Sequence, residues 1–374
     1  TRTQHGLVHE SHPTVDPPEE RTDRPTHADE RPASPSAPIT TAYPLTKRLP
    51  PTVSIDDQTG LPHCKECDYR YDASYDGLIR AIECHGSLEA LHHRDFPLGA
   101  LHPKLTPDER EAVGLTRDQH LYLQAVYNIM EGRYERLEYD IVFDSMVVVR
   151  EYVPLSDDEL QDLINRKLLS KDLTYPHLLY SVTPAGRNLI GEAYRQGLDF
   201  GDGKGDLDES SVHQLGVEIG ERLLDTQYVA NDASPVTRIR RYHELDDGHR
   251  IDLVGVDDAN TVLVTLEVER INNDAREAIP EDYDKMAACD PEEAIWLVPN
   301  RESGHAVLTA LNDPLDGDPR VEKTYSENTP LDQVLLDAPG CTDIVTFVTA
   351  RNRLGPDDRP TGPDPEADHT GEDE

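Results

Sequence analysis

The chain has 374 residues, with 74 Asp and Glu against 36 Lys and Arg and a formal charge of −38. That is long enough for two or three domains, yet no run of about 18 apolar residues offers a bilayer-spanning helix, so a membrane partner is not expected. The first residues carry no apolar signal segment, and five unevenly spaced cysteines make no disulfide framework, so a reducing, cytoplasmic location is expected.

Residues 1–58 are rich in Pro, Thr, Ser, His and charge without hydrophobic period, and 351–374 repeat that character, so both predict disordered tails. Long apolar-periodic segments between them argue for folded domains. Only eight lysines occur (Lys47, Lys65, Lys104, Lys167, Lys171, Lys204, Lys285, Lys323) amid abundant Asp and Glu. In this the chain resembles halophilic proteins of haloarchaeal, that is archaeal, cytoplasm at molar salt. Near 1 M salt the Debye length falls to about 3 Å, so net acidity does not exclude a nucleic-acid partner.

Residues 59–105 hold three of the five cysteines. Cys64 and Cys67 have the two-residue spacing that turns both thiolates onto one metal, and Cys84 is followed directly by His85. Three Cys and one His would close a tetrahedral structural zinc site, with His85 preferred over His92 as fourth ligand and His63 and His93 nearby. An unligated, reduced pair is the competing reading. No strand–CxxC–helix pattern supports a redox role.

Residues 114–198 read as largely helical. A helix is expected over 117–130, and a second apolar stretch runs over 141–149. Ser156 with Glu159 forms a capping box ahead of a helix that buries Leu160, Leu163, Ile164 and Leu168. A strand over 178–182 follows, then Thr183-Pro184 as N-cap and first turn of a helix to about residue 194. This order, ending in LLYSVTPAGR, resembles winged helix-turn-helix domains of archaeal regulators. The resemblance implies that the capped helix enters the major groove of double-stranded DNA, with Arg166, Lys167 and Lys171 as phosphate partners. Asp157, Asp158, Glu159 and Asp162 crowd that helix start, which favours a winged helix used for protein contacts as the alternative.

Residues 199–208 (DFGDGKGDLD) read as a linker, lacking the carboxylate spacing and closing Glu of a calcium loop. Residues 209–350 alternate helix and strand. A helix over 212–224 carries Glu218 and Glu221, and a strand over 236–242 carries Arg238, Arg240 and Arg241 as candidate DNA contacts. Two strands bearing Asp252 and Glu267-Val-Glu269 follow, then a helix over 281–289, a strand over 294–298 and a helix over 303–311. Period two sends Glu267 and Glu269 to one face beside the Asp252 strand, a hard, oxygen-rich site of the kind that holds Mg²⁺. Solvated acidic surface is the blander reading. Cys289 and Cys341 read as small buried residues, Trp296 as core and His305 as surface. No Ser-His-Asp order, P-loop or dinucleotide fingerprint occurs.

The α-β-β-β-α-β order with these acids resembles the PD-(D/E)XK nuclease superfamily, and the whole resembles winged-helix proteins of plasmid replication and relaxation. The resemblance implies Asp252 and Glu267 as magnesium ligands and Glu218 or Glu221 as a further carboxylate. It also places Glu269 where the family usually has Lys, with Lys285 as the lysine drawn from the following helix. The expected fold is mixed α/β, made of zinc segment, winged helix and restriction-endonuclease-like domain. The expected function is DNA binding with Mg²⁺-dependent phosphodiester cleavage in a plasmid, virus or defence context. A catalytically inactive DNA-binding regulator or replication accessory, or a protein–protein adaptor, stands as the alternative, and a homodimer stays open.

Overall fold

The structure, a computed structural model, describes residues 49–354 apart from 57–58, 60, 73, 89–90, 92–103, 193–209, 247, 272–273 and 322–324. Most of the two tails, the linker at 199–208, His92 and His93 lie outside the described residues. Among the described residues no helix is long and apolar enough to cross a membrane. The fold is mixed α/β.

The first elements are small. Strands β1 (Val53–Ile55) and β2 (Pro62–Cys64) pair antiparallel, and helix α1 (Tyr75–Glu83) starts where the Ser74 side chain accepts from Gly77 N–H. Their core is Val53, Leu78, Ala81, Ile82 and Leu91. Five side chains give little to set against the entropy of ordering the segment.

Next come α2 (Pro107–Ala112), α3 (Arg117–Met130), a single turn α4 (Val149–Tyr152) and α5 (Asp157–Asn165). Thr106, Thr116 and Ser156 each close a capping box, the last as its sequence signature predicts. The antiparallel hairpin β3 (Leu169–Leu173) and β4 (Leu179–Val182) leads into α6 (Pro184–Leu189). The helix ends before residue 194 because Gly191 takes a positive φ of 74°. The apolar stretch at 141–149 is mostly turn rather than helix. Asp144 accepts from Asp140 N–H at 2.8 Å and Asp140 from Val142 N–H at 3.0 Å, giving the backbone an alternative to helical bonds.

His120 on α3 is buried with neither ring nitrogen hydrogen-bonded. Burial, helped by the Arg110 charge, pushes its pKa from 6.5 down to about 4. The unfolded chain therefore takes up this proton before the folded one. Its contribution is complete above pH 6.5 and is lost as pH falls from 6.5 towards 4, by about 3 kcal/mol. Denaturant titrations at pH 7 and pH 4 are expected to show the wild type losing that much more stability than His120→Leu. Parallel losses would sink this account of the imidazole.

The remaining elements build one sheet. Helix α7 (Ser211–Leu224) precedes β5 (Arg238–Glu244), β6 (Arg250–Val256) and β7 (Val262–Val268), an antiparallel meander. Then α8 (Ala275–Ala288), β8 (Glu293–Val298), α9 (Arg301–Asn312), β9 (Asp343–Thr346) and α10 (Phe347–Arg353) add two parallel strands, in spatial order β5-β6-β7-β8-β9. The last strand and helix were not anticipated. The α8 helix starts six residues before the expected 281 and carries Pro280 inside it. The carbonyl that Pro280 cannot engage, that of Arg276, instead accepts from Leu315 N–H at 3.0 Å.

Alternation along β7 and β8 assigns the two cores. Val264, Leu266, Val268, Ile295 and Leu297 meet α7 and α10, whereas Ala294, Trp296 and Val298 meet α8 and α9. Gly216 and Gly220 let α7 approach closely, since a Cβ on Gly216 would fall 2.2 Å from Val268 Cγ1. The α7 core is continuous with that of α3 to α6, so both groups of elements pack around one helix.

Candidate functional site

Among the described residues, two constellations bring expected site residues together. In the first, the β1–β2 hairpin sets Cys64 at a strand end, the following turn supplies Cys67, and the C-terminus of α1 supplies Cys84 and His85. Cys64 Sγ lies 3.4 Å from His85 Nδ1, and Cys67 Sγ 3.4 Å from Cys84 Sγ. All four donor atoms fall within 4.8 Å of one another. This Cys₃His cluster can hold a metal ion such as zinc, whose tetrahedral preference matches four such donors. The backbone N–H of Cys67 is the main force pulling the Cys64 thiol down to about 6, with Glu66 N–H and His85 assisting against burial. A hydrogen bond with Cys84 raises Cys67, and the bond that the Tyr71 hydroxyl donates to Cys84 pushes Tyr71 up to about 12. His63 points elsewhere, its Nε2 2.7 Å from Asp68 Oδ1 and its Nδ1 3.2 Å from the Ser54 hydroxyl.

The second constellation sits at one end of the sheet. Asp252 on β6 and Glu267 on β7 are in hydrogen-bond contact, both well removed from solvent. Asp252 Oδ2 accepts from Val268 N–H at 2.8 Å, and Oδ1 lies 3.2 Å from His213 Nε2 on α7. From α8, Lys285 places Nζ 2.9 Å from Glu267 Oε1 and 2.8 Å from Asp282 Oδ1. Glu269 follows just past the end of β7, also buried.

Buried like charges in contact cannot both ionise cheaply. Burial pushes Asp252 up, but His213, the Glu267 hydrogen bond and Val268 N–H together hold it down to about 2. Burial, then the Asp252 charge, drives Glu267 well above the carboxylate range, with Lys285 opposing. Burial, then Asp282 and Asp252, raises Glu269 to about 7. Burial would discharge Lys285, yet Glu267 and Asp282 keep it protonated beyond its usual range. The two carboxyls are thus pushed in opposite directions, Asp252 towards its charged form and Glu267 towards its neutral one.

Other expected site residues are placed elsewhere. Glu218 and Glu221 do not reach Asp252. Glu218 pairs with Arg241 at 2.6 Å and Arg222 at 3.2 Å, and Glu221 also bonds Arg241. Helical period explains the miss: His213 shares the sheet-facing side with Gly216 and Gly220, while Glu218 and Glu221 lie round the helix from it. The glycines, which mark the packed side, were the available signal for His213. Arg241 is thus an internal ion-pair partner rather than an open DNA contact.

Arg166 is likewise engaged, donating to the Gly114 and Val113 carbonyls at 2.9 and 3.1 Å and pairing with Asp162. Lys167 and Lys171 are exposed, Lys167 in a left-handed turn with φ of 56°. Arg238 and Arg240, at the sheet edge, both donate to Asn260 Oδ1 in the β6–β7 turn. His305 is buried rather than surface, its Nε2 2.8 Å from the Thr329 carbonyl. Cys341 and Trp296 are buried as expected, and Cys289 partly so.

Glu267 Oε1 is buried, with the Lys285 ammonium 2.9 Å away as its counter-charge. Neighbouring carboxylates are the hard oxygen donors that a divalent cation takes, though Lys285 already pairs with Glu267 Oε1. Among the described residues, however, only the Cys₃His cluster brings three or more donors within 4.8 Å of one another. No family model matches this chain, and no curated protein or solved structure does either.

Proposed function

We propose that the protein binds double-stranded DNA and cleaves phosphodiester bonds at Asp252, Glu267 and Lys285, in the manner of PD-(D/E)XK nucleases. Residues 114–198 would serve as the winged-helix DNA-binding unit and the Cys₃His segment as a zinc-stabilised addition. The observation that carries the reading is Lys285. Its Nζ, delivered from α8, meets Glu267 at 2.9 Å although residue 269 is not a lysine. Asp252 and Glu267 would hold Mg²⁺, which when bound activates water and offsets charge on the scissile phosphate. Lys285 would orient water or phosphate. Arg238, Arg240, Lys167 and Lys171 are candidate backbone contacts, worth most at low salt.

The test is a nicking assay on supercoiled and linear duplex in molar KCl with Mg²⁺ or Mn²⁺. Asp252→Ala and Lys285→Ala are expected to lower the rate by roughly 10²-fold or more. Equal nicking by wild type and both variants would sink the site. A second reading, a DNA-binding regulator without cleavage, is favoured by the Lys285 charge being shared between two carboxylates. Duplex binding without nicking would establish it, and absence of both would leave the adaptor.

A further inference from the structure

The first turn of α7 touches both candidate units. Ser210 caps it, accepting from His213 N–H at 3.2 Å. The Ser211 hydroxyl donates to Asp172 on β3, one strand of the hairpin. Two residues further along the same helix end, His213 Nε2 approaches Asp252 Oδ1 at 3.2 Å. An ionised Asp252 can only accept, so Nε2 carries the hydrogen. Val268 N–H takes the other oxygen at 2.8 Å. Asp252 is thus held at both oxygens, by the strand bearing Glu267 and by the helix contacting the hairpin.

This helix has little freedom to drift. Gly216 and Gly220 seat it against Val268, Phe347, Leu253 and Leu266 at distances where even a methyl group would collide. Any displacement of its first turn is transmitted to His213 rather than absorbed in a loose interface.

We propose that His213 is a positioning residue for Asp252, and that the Asp172–Ser211 contact links the hairpin to that carboxylate. This rests on the reading of Asp252 and Glu267 as metal ligands. Groups that orient a ligating carboxylate commonly change metal affinity by about 10–100-fold when removed.

Trp296 supplies a local readout. It is the chain's single tryptophan and the β8 register partner of Glu267. Quenching of its emission by Mn²⁺ reports this site, not ions condensed on a chain of charge −38. In the zinc-loaded protein at molar KCl, wild type should quench saturably and Asp252→Ala should not. His213→Ala and His213→Asn, too short to reach Oδ1, should each shift the midpoint about tenfold. His213→Gln, whose amide can still donate, should recover most of the loss. Ser211→Ala should shift it about threefold, with thermal midpoints unchanged.

If both short variants keep the wild-type midpoint while Asp252→Ala abolishes quenching, the positioning role is overturned and the metal site stands. An unchanged midpoint in Ser211→Ala overturns the hairpin link. Absence of saturable quenching in wild type overturns the metal site and this inference together. Should His213→Ala fail to fold, His213→Asn and His213→Gln decide.

Discussion

The purified chain is expected to carry about one zinc ion, and stripping it should unfold residues 52–91 while leaving the sheet intact. Beneath this expectation lies a core of only Val53, Leu78, Ala81, Ile82 and Leu91. Such a core cannot by itself offset the ordering of a hairpin, a turn and a helix. Cys64, Cys67, Cys84 and His85 lie between the hairpin and the far end of α1, so one bound ion would cross-link what the core holds weakly. Structural zinc in small domains contributes on the order of 10 kcal/mol at neutral pH, most of which becomes folding free energy. Hydrogen exchange after chelation is the measurement. Fast exchange at 52–91 with β7 still protected fits the expectation. Protection that persists in a metal-free chain would show that thiols and core suffice.

Arg222→Met should destabilise the protein by about 3–5 kcal/mol, the largest effect expected of a substitution outside the zinc cluster. Arg222 Nη1 donates to Asp140 Oδ2 at 2.7 Å, and the Asp140 side chain is 0% exposed. Removing the guanidinium strands a carboxylate in the core. That carboxylate also holds Val142 N–H, so the loop at 140–144 would loosen with it. Salt screens buried pairs weakly, so the loss should persist in molar KCl. The double variant Arg222→Met with Asp140→Leu should recover most of it, because two apolar partners leave no charge unpaired. Denaturant midpoints at fixed salt measure both. A double variant as unstable as the single one would locate the damage in lost packing instead.

Much of this arrangement was legible in particular residues. The alternation of Val262 to Val268 gives β7, Ser156 with Glu159 gives α5, and the spacing of Cys64, Cys67, Cys84 and His85 gives the metal cluster. What failed were assignments that needed a face rather than an element. Arg241 stood beside Arg238 and Arg240 in sequence, yet adjacent strand residues point oppositely, and its register partner Leu253 belongs to the α7 side. Glu218 and Glu221 looked right by residue type, but the sheet sees the side of α7 that carries Gly216, Gly220 and His213. The stretch at 141–149 is apolar enough for a helix, yet Asp140 and Asp144 bond the backbone first. Asp282, one acid among 74, carries no signal in sequence and gains one only where Lys285 turns towards it.

The seat of α7 has a consequence for modularity. A cut at 199–208 would look like a clean seam in sequence. It would nonetheless leave Asp140, Asp172 and the parts of β3 and β4 that meet α7 bare on one piece, and Arg222 and Ser211 bare on the other. The two halves are therefore not exchangeable parts on a string. A hairpin unit borrowed from another chain would have to bring its own acid for Arg222, and lineages that keep this sheet should inherit both halves as a single block.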